Sequence, residues 1–302
     1  MRLAINFPSF VGCTTLLFIV ACSNGSTTFA PSSVGPRAVF TSQKPSKQTL
    51  FVADDFPDQV LLYDPTIPNP TPKGTITDGI YSPCGLAVDN GGNLYVVNGN
   101  STITVYPRGK TKPSFTIDRG LGDAPYAIAV DSTGIVYVSE ISTNAIIAYL
   151  PGHKTPFETI KITTGQQPGG LAVDSADNLY IANGASVLEL QHGSKKPMNL
   201  DLSDVNGAGG LSFRSDGALY VSNGGSNSVT VYKKGTKKPS LILDLGMDAP
   251  TFSTFVPDDR FFQMNQNNYT IEGFLREHRR PFSKITGLTH AFGIASSPRQ
   301  QT

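Results

Sequence analysis

The chain repeats itself, and the period decides what it can fold into. Four segments align almost without gaps: "PCGLAVDNGGNLYVVN" from Pro83, "PYAIAVDSTGIVYVSE" from Pro125, "PGGLAVDSADNLYIAN" from Pro168 and "AGGLSFRSDGALYVSN" from Ala208. Their tyrosines, Tyr95, Tyr137, Tyr180 and Tyr220, are spaced by 42, 43 and 40 residues. A divergent copy, "PTFSTFVPDDRFFQMN", starts at Pro250 with Phe262 in the tyrosine place. A copy lacking its front, "TLFVADD", starts at Thr49 with Phe51 there. Each unit then runs through a polar turn, a third apolar segment such as "TITVY" or "VTVY", a basic turn such as "PRGKTKP" or "KKGTKKP", and a short fourth segment such as "SFTI" or "SLIL". Four short strands in a period of about 40 residues form one propeller blade.

The first strand of each unit alternates bulky and small residues. Leu86 and Val88 alternate with Gly85 and Ala87, and Ile128 and Val130 with Ala127 and Ala129. Period 2 separates them onto two faces, so a bulky face can nest on the small face of the next blade. The Asp-x-x-Gly step at Asp131 to Gly134 predicts a tight hairpin.

The chain ends on "AFGIASSP", from Ala291. "FGIASSP" aligns with "CGLAVDN", which places Gly293 on Gly85. The first unit lacks this innermost strand. The C-terminal strand is therefore expected to complete the N-terminal blade, closing an all-β, six-bladed propeller without an open edge.

The units resemble NHL-type repeats, whose pattern is close to "GLAVDxxGNLYVAD", over about 250 residues. A second resemblance, through "YVSNGGSNSVTVY" from Tyr220, is to YVTN-type propeller repeats, which usually make seven blades; the closure favours six.

The N-terminus reads as targeting sequence. Met1-Arg2 is followed by an apolar stretch strongest in "TTLLFIVA", too short and interrupted for a membrane span and suited to a secretory leader. "IVAC" resembles a bacterial lipobox, which implies lipidation of Cys22. Ser23 after it resembles the signal for outer-membrane sorting. The expected organisation is a leader at 1–21, lipidated Cys22 and a Ser/Thr/Gly/Pro-rich tether at 22–48, the propeller at 49–298 and a tail at 299–302. The partner implied at Cys22 is a membrane, and the expected location is the cell envelope. With Cys13 removed and Cys22 acylated, Cys84 alone stays a thiol and no intrachain disulfide is expected. The formal charge of +1 names no partner.

Alternating turns give the propeller two faces. The upper face carries the loops into strand one and the turns from strand two to three. Three residues after each aromatic it collects a polar ring: Asp54, Asn98, Glu140, Asn183, Asn223 and Asn265. Such side chains either fix turns through backbone bonds or present acceptors to a ligand or a hard cation such as Ca²⁺. Cys84, Tyr126 and His290 belong to the pore mouth. Cys84 and His290 are the types a nucleophile and base would require, but no third, orienting group is evident. The lower face carries the outer turns, which hold 14 of the 24 Lys and Arg. No HExxH, CxxC, GxSxG or P-loop occurs, and nucleic acid is disfavoured because no aromatics interleave with the lysines.

Two functions follow as expectations. The first is a binding scaffold for a protein, peptide or glycan, without cofactor. The second comes from a resemblance to the gluconolactonase-like propellers, which implies a metal-dependent hydrolase with Glu140, Asn183 and Asn223 around a divalent cation such as Ca²⁺. The family's early Glu motif and its "PDGM" are missing here.

Overall fold

The computed structural model describes residues 48–297. The expected leader at 1–21, Cys22, the tether up to residue 47 and the tail at 299–302 lie outside the described residues.

Six four-stranded antiparallel sheets form a six-bladed β-propeller. Blade 1 is composite: Ala291–Ser296 is its innermost strand, followed outward by Leu50–Asp54, Gln59–Tyr63 and Gly74–Ile76. The innermost strands of blades 2 to 6 are Pro83–Val88, Pro125–Val130, Leu171–Val173, Ala208–Phe213 and Pro250–Phe255. At the closure Val52 pairs with Ile294 and Ala53 with Gly293. The amide of Ser297 donates to the carbonyl of Thr49 at 2.8 Å. The closing strand buries its edge, as the repeat alignment requires.

Apolar clusters lie between successive blades and not in one central mass. One joins Tyr126, Ile146 and Ile160 of blade 3 to Leu171, Ile181 and Leu188 of blade 4. Another joins Val52 and Tyr63 of blade 1 to Phe262, Met264 and Ile271 of blade 6. Small residues in the innermost strands allow this approach. A Cβ on Gly85 would lie 2.6 Å from the carbonyl oxygen of Tyr126 in the next blade.

Tyrosines on the third strands staple the blades. Tyr63, Tyr106, Tyr149 and Tyr232 are almost wholly buried. The hydroxyls of Tyr106, Tyr149 and Tyr232 donate to the carbonyls of Asp78, Arg119 and Ser203, at 2.6, 2.8 and 2.5 Å, each in the loop leaving the preceding blade. Burial raises the phenol pKa of all four, so they remain neutral donors.

The inner hairpins are held from within. Asp131 is buried and accepts from the amides of Thr133 and Ile135, both at 2.9 Å, and from the hydroxyls of Thr133 at 2.7 Å and Tyr137 at 3.3 Å. Asp89 and Asp174 serve blades 2 and 4 in the same way.

Candidate functional site

The upper ends of the innermost strands depart from regular pairing. The register shifts between Pro125 and Ile128, between Pro250 and Ser253, and again between Pro83 and Leu86. A bulge of this kind bends the strand and re-aims a side chain. Tyr126 and Phe252 sit inside two of these bulges, on blades 3 and 6, which face each other across the ring. Their ring centroids are 5.1 Å apart. The axis is therefore crossed at its mouth by an aromatic pair. Tyr126 is 8 % exposed, and burial pushes its phenol up to about 12.

All six residues of the polar ring are buried, at 0 to 1 % exposure. Each ends the second strand of its blade and binds the loop that enters the first. Asn98 Oδ1 accepts from the amide of Tyr81 at 3.0 Å, Asn223 Oδ1 from Asn206 at 2.9 Å and Asn265 Oδ1 from Asp248 at 3.1 Å, a constant 17 residues upstream. Asn183 reaches the same place with its Nδ2, which donates to the carbonyl of Gln166 at 3.0 Å. Glu140 receives the amides of Gly122 and Ala124 at 2.9 and 3.1 Å. Asp54 receives His290 at 2.7 Å and Thr289 at 3.2 Å, which ties the last loop of the chain to its first blade. The sequence pointed to local turns as the partners of these side chains; the principal partners are the loops between blades.

The oxygens expected to hold a cation are occupied in this way. Glu140 Oε1 also accepts from Ser142 Oγ at 2.7 Å, and Asn183 Oδ1 from Thr164 Oγ1 at 2.5 Å. Asn223 Oδ1 faces its own blade's loop. Three donor oxygens each turned to a separate loop do not fit a shared divalent ion.

Cys84 is wholly buried. Its Sγ is 3.4 Å from the carbonyl oxygen of Pro125 and 3.6 Å from that of Val97. His290 is directed elsewhere: Nδ1 lies 3.9 Å from Asp55 Oδ2, and its ring lies 5.0 Å from that of Tyr269.

The upper face carries a feature that the sequence reading missed. Phe56 is 66 % exposed, on the turn between the second and third strands of blade 1. Tyr81 is 43 % exposed, on the loop to blade 2. Ser82 fastens that loop to the turn, its amide donating to Asp58 Oδ1 at 2.7 Å and its hydroxyl to Asp55 Oδ1 at 2.5 Å. His290 and Tyr269 continue the surface toward blade 6. Ser82 joins the turns of successive blades 1 and 2, and only ring closure brings His290, with Tyr269 against it, up to Asp55. Sequence distance hid them; the one available signal was an exposed aromatic on each of several upper-face turns.

No known family pattern matches the chain, and no curated protein matches it. Solved structures do. A chain from the crystal structure of a nidogen/laminin complex superposes with a TM-score of 0.71 at 15 % identity, over 84 % of this chain and all of that one. A catalytically inactive variant of virginiamycin B lyase from Staphylococcus aureus, solved with quinupristin, gives a TM-score of 0.51 at 15 % identity, over 64 % of this chain and 67 % of that one. Likeness at this identity concerns the propeller fold alone.

Proposed function

We propose that the protein is an exported, lipid-anchored binding scaffold built of NHL-like repeats. Its ligand is a protein, peptide or glycan seated on the upper face across blades 6, 1 and 2. One observation carries this reading. Phe56 and Tyr81 are large apolar side chains held in solvent on a fastened turn and loop, beside Asp55 and His290. Rigid aromatics with polar neighbours are what recognition surfaces use, because they bury much area at little entropic cost. The first solved propeller above comes from a binding complex, which is consistent with such a use of the fold. The lipobox-like "IVAC" supports anchoring at Cys22.

The test is site-specific photo-crosslinking on intact cells from position 56, with position 195 on the opposite face as control. A discrete adduct from 56 alone, lost on Tyr81→Ala, is expected. Identical adduct patterns from both positions would end the reading. Anchoring is tested separately by palmitate labelling, which Cys22→Ser should abolish.

A further inference from the structure

The other face has a charge pattern that the proposed binding function does not use. The outer turns of blades 5 and 6 present Lys233, Lys234, Lys237, Lys238, Arg279 and Arg280, all exposed. Of these six, among the described residues, only Lys237 has a carboxylate within ion-pair distance, Asp201 at 3.3 Å, with both side chains 66 % exposed. The other outer turns add cations of their own, including Lys110, Lys154 and Lys195. The acids on this face are largely spent on the fold. Asp89, Asp131 and Asp174 bind their own hairpins, and Asp216 and Asp258 are paired with Arg214 and Arg260.

The loops between blades and the upper turns carry the opposite sign. They hold nine aspartates against one arginine, Arg119; Asp118 and Asp201 reach the rim and pair with Lys154 and Lys237, which leaves seven on the upper side, among them Asp55, Asp58, Asp123 and Asp248. A net charge of +1 thus conceals a molecule polarised along its axis.

The chain also joins the propeller on the basic side. Gln48 lies in the hands of two lower-face cations: Arg260 Nη2 donates to Gln48 Oε1 at 3.2 Å, and Lys73 Nζ to the Gln48 carbonyl at 2.9 Å. Arg260 also binds the carbonyl of Pro65. Gln48 therefore sits between blades 6 and 1, on the basic side.

We infer that the lower face is a docking surface for an anionic lipid bilayer, which holds the propeller with its axis upright and its aromatic patch turned away from the membrane. A flat anionic surface attracts lysines on a rim facing it and repels the aspartates on the far side, so charge selects the orientation as well as the binding. The inference rests on the envelope reading only for the presence of a membrane; the attraction itself does not require the acyl chain.

The experiment uses the full chain carrying Cys22→Ser, which removes the acylated sulfur. Co-sedimentation is measured with vesicles of phosphatidylglycerol and phosphatidylcholine, and with phosphatidylcholine alone. Binding is expected only to the anionic vesicles, and release is expected at ~0.5 M salt, where the Debye length shrinks below ~5 Å. Replacing the six blade 5 and 6 cations by Gln should weaken the binding by ~100-fold or more, with the thermal midpoint unchanged. Asp123→Asn with Asp248→Asn, on loops of the other face, should not weaken it. Absence of binding at low salt, equal binding to neutral vesicles, or binding indifferent to the six replacements overturns the inference. Failure of the crosslink at position 56 or of labelling at Cys22 leaves the vesicle result standing, so the readings fail separately.

Discussion

Tyr126 and Phe252 touch across the propeller axis, 126 residues apart and on opposite blades, with ring centroids separated by 5.1 Å. Each is delivered by a bulge at the upper end of its innermost strand. The contact is the one direct link between blades that are not neighbours among the aromatic pairs described. Phe252→Ala removes a half-buried ring and opens a gap that the rigid ring of blades cannot collapse into, so a loss of about 2–3 kcal/mol is expected. Tyr126→Phe should cost less than about 0.5 kcal/mol, because its hydroxyl has no hydrogen bond among the described residues to lose. Urea unfolding of the two variants checks both. Equal losses would mean that the pair is not what holds the axis.

This contact also marks where the sequence stops being legible. Blade number and closure could be read from "FGIASSP" because both depend on one repeat unit recurring along the chain. The alternation of Gly85 and Leu86 gave the nesting of adjacent blades for the same reason. Tyr126 and Phe252 occupy neighbouring but unlike positions in their repeats, and nothing in a period of about 40 residues relates blade 3 to blade 6. The aromatic patch of Phe56, Tyr81 and Tyr269 was hidden likewise, since only ring closure brings Tyr269 to it. The polar ring was legible as a ring. Its partners were not, because an Asn side chain binds a local turn or a loop 17 residues back with the same chemistry.

The ring makes a prediction that distinguishes clamp from ligand contact. Asn98 Oδ1 holds the Tyr81 amide, while Nδ2 reaches Thr104 Oγ1 at 3.2 Å and the Gly79 carbonyl at 3.4 Å. Asn98→Ala strands these buried groups and should cost about 1–3 kcal/mol. It should also raise amide exchange in residues 79–82, the loop that carries Tyr81. Unchanged exchange there would show that Asn98 does not position the loop.

Closure can be tested at Gly293. A Cβ at this position would overlap the carbonyl oxygen of Cys84 in blade 2. Gly293→Ala must push blade 1 away from blade 2, with a cost of about 3 kcal/mol or more. Gly193→Ala is the control, since nothing lies within 4 Å of the Cβ it would carry; its cost is only that of a positive φ, about 1 kcal/mol. Thermal unfolding should rank the two in that order, and truncation after His290 should be worse than either by baring the edge of Leu50–Asp54.

Blade 5 inverts the hairpin chemistry of its neighbours, and this gives a pH test. Arg214 stands where blades 2, 3 and 4 have Asp89, Asp131 and Asp174. The carboxylate comes instead from Asp216, which accepts from Arg214 Nη2 at 2.6 Å and Nε at 3.0 Å and takes the Ala218 amide at 3.1 Å. The Arg214 hydrogen bonds lower the Asp216 pKa to about 2. A carboxylate with a depressed folded-state pKa stabilises the fold above its unfolded value, near 3.8, and that contribution is lost as pH falls through about 2. Asp216→Asn should therefore be less stable than the parent at pH 7, by about 1 kcal/mol or less because the carboxylate is 41 % exposed to screening solvent. The gap should close between about pH 4 and pH 2, where the parent's own carboxylate takes up its proton. Urea midpoints of both proteins across that range decide it: a gap that persists at the acid end would assign the effect of the substitution to packing and not to charge.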